Sequence, residues 1–196
     1  MNMDQNIIYF ITGNIHKYNE ISAFFNKENL NYVLKQKNIK TIEVQAESIK
    51  EIALYKLESI KGQVNGSYFI EDAGFFVDTP LNGFPGVYSS YVMKTLGNKG
   101  ILRLIDDFEK TQAHFTSSIA LYFKPLDKNL IFEGDVYGRV SKTIRGSGGF
   151  GFDPIFLPNV MPDSTFAELT TDEKNKISHR GKAWRKFTKF LKENTI

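Results

Sequence analysis

At 196 residues, 41% hydrophobic and 24% charged, the chain has the size of one compact domain, with room for two lobes around a cleft. Its 25 basic residues are interspersed with 22 acidic ones for a net charge of +3, which lacks the concentrated basic face of a nucleic-acid binder and suits a small anionic substrate equally well. The absence of cysteine excludes disulfides, thiolate catalysis and cysteine-type zinc sites.

The apolar run Ile7-Ile8-Tyr9-Phe10-Ile11 lacks a basic flank and is too short for a signal peptide. No stretch approaches the roughly 20 apolar residues of a membrane span, so no membrane association is expected and the cytoplasm is the expected compartment. The run reads as a buried strand ending at Thr12-Gly13-Asn14. A helix is predicted from about His16, where Ile21, Phe24 and Phe25 take helical spacing. Residues 31–36 read as a second strand, followed by a polar stretch with Glu43 and Glu47. Ile49, Ile52, Ala53, Leu57 and Ile60 then form one helical stripe, and Lys56 falls on the same stripe.

Ser67 to Ile70 is a predicted strand that runs into Glu71-Asp72-Ala73-Gly74, after which Phe75-Phe76-Val77 resumes extended structure. Asn82 to Gly86 reads as a loop, and Ile101, Leu102, Ile105 and Phe108 mark a helix. Residues 113–123 and 130–140 alternate as paired strands joined near Pro125-Leu126-Asp127-Lys128. Gly146 to Pro154 carries four glycines before its Phe152-Asp153-Pro154 end and reads as a loop. Ser178 is placed to cap a final helix whose buried edge is Trp184, Phe187 and Leu191. Early alternation of strands and helices, with a late antiparallel pair, predicts a mixed sheet in an α/β arrangement, without a linker between independent domains.

Five places have chemical potential. A strand that ends in a glycine turn and opens a helix offers backbone N–H groups and a positive dipole end to an anion, with Lys17 in the first helical turn. It is not a Walker A loop, and an ordinary strand-to-helix turn has the same look. Glu71 and Asp72 at a strand end point to opposite faces and, with Glu43 and Glu47, offer oxygen ligands for Mg²⁺; a solvated turn is the plain alternative. Lys56 either snorkels to solvent or points into a polar cleft. The segment Gly149-Phe150-Gly151-Phe152-Asp153 combines close backbone approach, aromatic faces and an acceptor for a base N–H. Lys174, His179 and Arg180 gather at the predicted start of the last helix, an anion-favouring place or a solvated basic face.

In chain order, T-G-N-x-x-K (12–17), E-x-Q-x-E (43–47), E-D-x-G (71–74), F-P-G-V-Y-S (84–89), G-F-G-F-D-P (149–154) and E-K-N-x-x-S-H-R (173–180) resemble the inosine triphosphate pyrophosphatase (Ham1, non-standard purine NTP pyrophosphatase) family over essentially the whole chain. The resemblance implies a single domain over residues 1–196 with an elongated mixed sheet flanked by helices, two lobes and a central cleft. It implies a homodimer that hydrolyses ITP, dITP and XTP to the monophosphate and pyrophosphate with Mg²⁺. Carried onto this sequence, Thr12, Gly13, Asn14, Ile15, His16, Lys17, Lys56 and Ala73 would contact substrate, mainly its phosphates. Glu43 and Asp72 would bind Mg²⁺, Asp72 also serving as general base. Phe150, Gly151, Phe152 and Asp153 would frame the base, and Lys174, His179 and Arg180 would complete recognition. Two departures stand out: Ala73 lacks the hydroxyl the family usually has there, and Ser90 replaces a basic residue of some relatives. The competing expectations are a Maf-like pyrophosphatase for pyrimidine or modified nucleotides, and a non-catalytic nucleotide sensor or nucleic-acid module.

Overall fold

The computed structural model describes residues 6–194. Its elements are, in order, β1 (Ile7–Ile11), α1 (Ile15–Lys27), β2 (Val33–Lys37), α2 (Ile49–Ser59), β3 (Ser67–Thr79), β4 (Phe84–Gly86), α3 (Ser89–Thr95), α4 (Gly97–Leu104), β5 (Gln112–Phe123), β6 (Lys128–Val140), β7 (Phe156–Pro158), α5 (Thr171–Ile177) and α6 (His179–Glu193). The strands form one mixed sheet in the order β2-β1-β3-β5-β6-β7, with β4 attached to β3. β1 pairs in parallel with β2 and β3, with Phe10 opposite Gln36 on one side and Phe69 on the other. β4 and β7 add antiparallel pairs to β3 and β6. No helix among the described residues is long and apolar enough to cross a membrane.

Several boundaries differ from the sequence expectation. β3 does not break at Glu71–Gly74 but continues to Thr79 as one strand. Gly74 is buried inside it, so the glycine serves close packing rather than a turn. β4 occupies the end of the predicted 82–86 loop, because Phe84 to Gly86 pair with Val77 to Phe75. The helix marked by Ile101 ends at Leu104, and Phe108 lies beyond it, 46% exposed. Two seven-residue helices, α3 and α5, went unpredicted; neither is long enough to show a clear period.

Chain contacts divide into two compact units, whose boundaries fall inside β3, β5, β6 and α6. Unit 1 contains residues up to Asp72, Ser118–Glu133 and the chain from Ala183 onward. Its inner strands β1 and β3 are covered on both faces, whereas the edge strand β2 is largely exposed. On one face Ile8, Phe10 and Phe69 pack with Ile21 and Phe25 of α1 and with Trp184, Phe187 and Leu191 of α6. Phe10 stacks on Phe69 at 4.6 Å, and Trp184 meets Phe69 edge-on at 5.5 Å. On the other face Ile11, Tyr68 and Ile70 pack with Ala53 and Leu57 of α2. Alternation along β1 and β3 therefore decides which helix each side chain meets.

Unit 2 contains Ala73–Ser117 and Gly134–Lys182. Its core collects Phe75 and Val77 of β3, Phe115 of β5 and Val136 of β6 with Phe152, Phe156 and Phe166. Phe75 stacks on Phe152 at 4.9 Å, and Phe115 meets Phe156 edge-on at 4.9 Å.

Truncating Phe69, fully buried among the rings of Phe10, Trp184 and Phe187, should cost about 3–5 kcal/mol of unfolding free energy. Urea denaturation of Phe69→Ala measures it. A second expectation concerns pH. Thr170 and Glu173 form a capping box at the start of α5, and hydrogen bonds from the Thr170 side chain and backbone hold the Glu173 carboxyl below its usual 4.5. A depressed folded-state value gives stability that is present above the unfolded value and lost as pH falls through the folded one. Glu173→Gln should therefore melt below the parent at neutral pH, with the gap closing in acid. Thermal melts of both proteins across that range decide it.

Candidate active site

The turn after β1 is built from local side-chain bonds. The Asn14 carboxamide oxygen accepts the N–H groups of His16 (3.0 Å) and Lys17 (3.2 Å), capping α1. The Thr12 hydroxyl accepts the Asn14 N–H at 3.0 Å. These three amides are thus occupied, contrary to the expectation that the turn leaves its N–H groups open. Asn and Thr at a helix start compete for the very amides an anion would use. β2 supports the turn from the side: the Thr12 N–H donates to the Lys37 carbonyl, and the Gln36 amide donates to the Thr12 carbonyl. A Cβ on Gly13 would lie 3.2 Å from the carboxamide oxygen of the exposed Asn38, a tight contact that a small shift of that side chain relieves. Ile15 and His16 are exposed on the first turn of α1.

Lys17 turns toward β3. Its ammonium lies 2.8 Å from the Glu71 carboxylate and donates to the Glu71 carbonyl at 2.9 Å. The Glu71 side chain has no exposed surface. One residue on, Asp72 faces the other way and its carboxylate sits 2.6 Å from the Lys56 ammonium. Glu43, on the irregular stretch before α2, reaches the same ammonium at 3.1 Å with its side chain 78% exposed. Lys56 itself is only 9% exposed, so of its two expected fates it takes the polar one. Burial alone would lower its pKa, but the charge of Asp72, the hydrogen bond to it and Glu43 outweigh burial and hold it above the ordinary lysine value. Lys56 is therefore a fixed cation at neutral pH. The second glutamate of the pattern, Glu47, is exposed, and its N–H donates to the Glu51 carboxylate at the capped start of α2.

Unit 1 thus gathers three carboxylates, Glu43, Glu71 and Asp72, around two ammonium groups. Glu43 and Asp72 already share one cation, and their oxygens are the hard donors that Mg²⁺ prefers. Among the described residues no group of three or more His, Asp or Glu side chains is arranged to hold a metal. Ala73 is half-buried on β3 directly after Asp72.

In unit 2 the glycine-rich loop folds back on itself. Asp153 accepts the Phe150 N–H at 2.8 Å and pairs with the Lys174 ammonium at 2.8 Å, both side chains being 5% exposed or less. Gly149 (φ +67°) passes so close that a Cβ there would lie 2.2 Å from the Asp153 carboxylate. Lys174 also lies 5.1 Å from the centre of the Phe150 ring, and the Arg180 guanidinium lies 4.8 Å from it. The Asn98 amide donates to the Gly151 carbonyl at 3.1 Å. Phe150, partly exposed, is the aromatic of the pair that the loop presents. Phe152 does not: it is 3% exposed and stacked on Phe75 in the core. His179 is likewise buried, lying flat on Phe115 at 4.7 Å.

Sequence reasoning missed the part that two residues play in these sites. Glu71, which the sequence offers with Asp72 as an oxygen ligand for Mg²⁺, is paired with Lys17; its spacing of two from Phe69 is the signal that it shares the α1 face. Ser89 ended a quoted motif without a role. Its hydroxyl accepts the Phe75 N–H and donates to the Gly86 carbonyl, both at 2.7 Å, pinning β3 to the end of β4.

Fold and sites define an α/β protein with a mixed sheet and two collections of charge-paired functional side chains. Residues 8–190 match the Ham1 family model, and the chain belongs to the Ham1 family. A dITP/XTP pyrophosphatase from Thermococcus kodakarensis is 46% identical over 185 residues, covering 94% of this chain and 97% of that protein. The dITP/XTP pyrophosphatase of Pyrococcus horikoshii is 42% identical over 95% of this chain and 97% of its own length. Among solved structures, the Coxiella burnetii HAM1 protein superposes with a TM-score of 0.82 at 28% identity, covering 96% of this chain and 99% of that one. The Staphylococcus aureus Ham1 protein gives 0.80 at 26% identity, covering 95% and 98%.

The Lys174–Asp153 pair yields a direct test. Removing one member of a buried pair leaves an uncompensated charge and costs about 3–5 kcal/mol. Lys174→Met should therefore be destabilised on that scale, and Lys174→Met combined with Asp153→Asn should recover much of the loss. Denaturant unfolding of the two variants checks it.

Proposed function

We propose that this chain hydrolyses dITP, ITP and XTP to the nucleoside monophosphate and pyrophosphate. The observation that carries this reading is the near-full-length identity of 46% to a dITP/XTP pyrophosphatase. The chemistry of the paired clusters supports it. A triphosphate shields its α-phosphorus with negative oxygens, so attack needs cations around the phosphates and a carboxylate that aligns water.

Lys17 and Lys56 are the cations for the phosphates, the turn from Thr12 to Lys17 being their seat. Because Asn14 already caps α1, its side chain holds the helix start in shape, and the phosphates rely on the lysine ammonium groups more than on open amides. Glu43 and Asp72 would hold Mg²⁺ through their carboxylate oxygens. When bound, the ion neutralises phosphate charge and favours departure of pyrophosphate. Asp72 orients the attacking water and accepts its proton. The water oxygen bonds to the α-phosphorus as the bond to the α–β bridging oxygen breaks, and pyrophosphate leaves with that oxygen. Lys56, 2.6 Å from the Asp72 carboxylate, holds that carboxylate in place.

In unit 2, Phe150 with Lys174 and Arg180 forms the base-recognition element. Donors from an ammonium and a guanidinium suit the 6-oxo group of hypoxanthine and xanthine and leave the 6-amino group of adenine without an acceptor. Asp153, bound by Lys174 and the Phe150 N–H, holds this element in place, with Phe152 and His179 as its buried footing. Ala73 supplies no hydroxyl, so substrate positioning on this stretch of β3 falls to Asp72 and Lys56. A homodimer in the cytoplasm completes the reading.

Initial rates with ITP, dITP, XTP, GTP, ATP, UTP and dTTP in Mg²⁺ should rank the first three highest, with pyrophosphate as product. A preference for UTP or dTTP would replace this function with a Maf-like one. Asp72→Asn should lower kcat by roughly 10²–10⁴ while nucleotide still binds.

A further inference from the structure

Glu71 belongs to neither the metal pair nor the substrate contacts proposed above, yet it is the most deeply buried carboxylate of unit 1. It is 4% exposed as a residue, and its side chain has no exposed surface at all. Burial of an ionised carboxylate is costly unless a partner compensates it, so a chain that retains one at such a place gains something in return. The partner is Lys17, held at two points: the carboxylate at 2.8 Å and the carbonyl of the same residue at 2.9 Å. Two acceptors on one residue fix both the position of an ammonium and the direction of its hydrogens. A free lysine has neither restraint and loses rotamer entropy when it is immobilised.

The origin of this clamp is the alternation of β3. Phe69 and Glu71 share the face covered by α1, whereas Ile70 and Asp72 share the face covered by α2. Lys17, one turn into α1, meets Glu71; Lys56, in the last turn of α2, meets Asp72. Successive acids on one strand thus serve successive lysines on two helices, and only Asp72 keeps surface for water or metal, its side chain being 19% exposed.

We propose that Glu71 is a positioning residue that holds Lys17 ready for a triphosphate, an inference that rests on the function proposed above. Lys17 pairs with phosphate in the bound and the reacting states alike, so its alignment raises affinity rather than the chemical rate. Glu71 touches no reacting atom and acts on the substrate through Lys17.

The test compares Glu71→Gln, Glu71→Asp, Lys17→Gln and the Glu71→Gln, Lys17→Gln double variant. It reads kcat and KM for Mg²⁺-ITP, calorimetric binding of inorganic tripolyphosphate with Mg²⁺, and the melting temperature. Glu71→Gln should raise KM and weaken tripolyphosphate roughly tenfold, the scale of one charge-assisted hydrogen bond, with kcat within about threefold of the parent. Glu71→Asp should recover part of the affinity, and in the Lys17→Gln background the loss of Glu71 should add nothing. A fall in kcat of roughly a hundredfold at unchanged KM would make the carboxylate part of the chemistry and overturn the proposal. So would a lower melting temperature with unchanged KM and tripolyphosphate binding, or additive effects in the double variant. If Glu71→Gln does not fold, Glu71→Asp carries the test through the same binding measurement, and unaltered affinity overturns the idea. A parent protein that binds tripolyphosphate in a Glu71-dependent way but hydrolyses no purine triphosphate supports the clamp and removes the proposed function instead.

Discussion

Buried lysines cannot stand alone, and the candidate sites follow from how this chain compensates them. Lys17, Lys56 and Lys174 are each drawn in from solvent, and each meets a carboxylate within 2.8 Å. Desolvation of an ammonium works against its charge, and the neighbouring acid restores it. Lys56 shows the outcome: burial pulls its pKa down, Asp72 and Glu43 push it further up, and it remains a cation. Fixed cations in a fixed geometry are what a phosphate ester needs from a protein, since reorganisation is then complete before the substrate arrives.

The sheet makes that compensation cheap in sequence. A parallel sheet covered on both faces sends neighbouring residues of one strand to different helices. In unit 1 the aromatic and aliphatic residues of β1 and β3 already divide between the α1–α6 face and the α2 face. Two consecutive acids within such a strand then reach two lysines without a specialised loop. Unit 2 solves its problem differently. There the backbone of a glycine-rich loop curls around Asp153, and a positive φ at Gly149 with no Cβ lets the carboxylate lie against it.

Much of this was legible in the chain. Periods of 3.6 and 2 placed α1, α2, α6 and the long strands, and strand alternation separated Glu71 from Asp72. The limits have physical causes. Asn14 takes up amides that a turn alone would leave open, because local side-chain bonds leave no periodic trace. Gly74 carries the signature of a breaker but lies buried within β3, where tertiary packing decides. Phe150 and Phe152 are equivalent in the glycine-rich motif, yet only Phe150 is presented, because Phe75 claims the other ring. Lys56 left two outcomes open from helical spacing, and the choice between them depended on Asp72, which lies on a different element.

The arithmetic of charge in unit 1 links structure to cofactor. Three carboxylates and two ammonium groups leave the cluster short of positive charge before any nucleotide binds. A triphosphate brought to it meets repulsion as well as attraction, and at low local dielectric neither is small. On the function proposed, an additional cation would offset that shortfall. A monovalent ion would only balance the protein's own excess, whereas a divalent one leaves charge for the substrate. The two carboxylates that share Lys56 would supply hard oxygen donors to such an ion, which would bring the missing positive charge. Glu71, paired with Lys17 at both its carboxylate and its carbonyl, is committed to the other lysine.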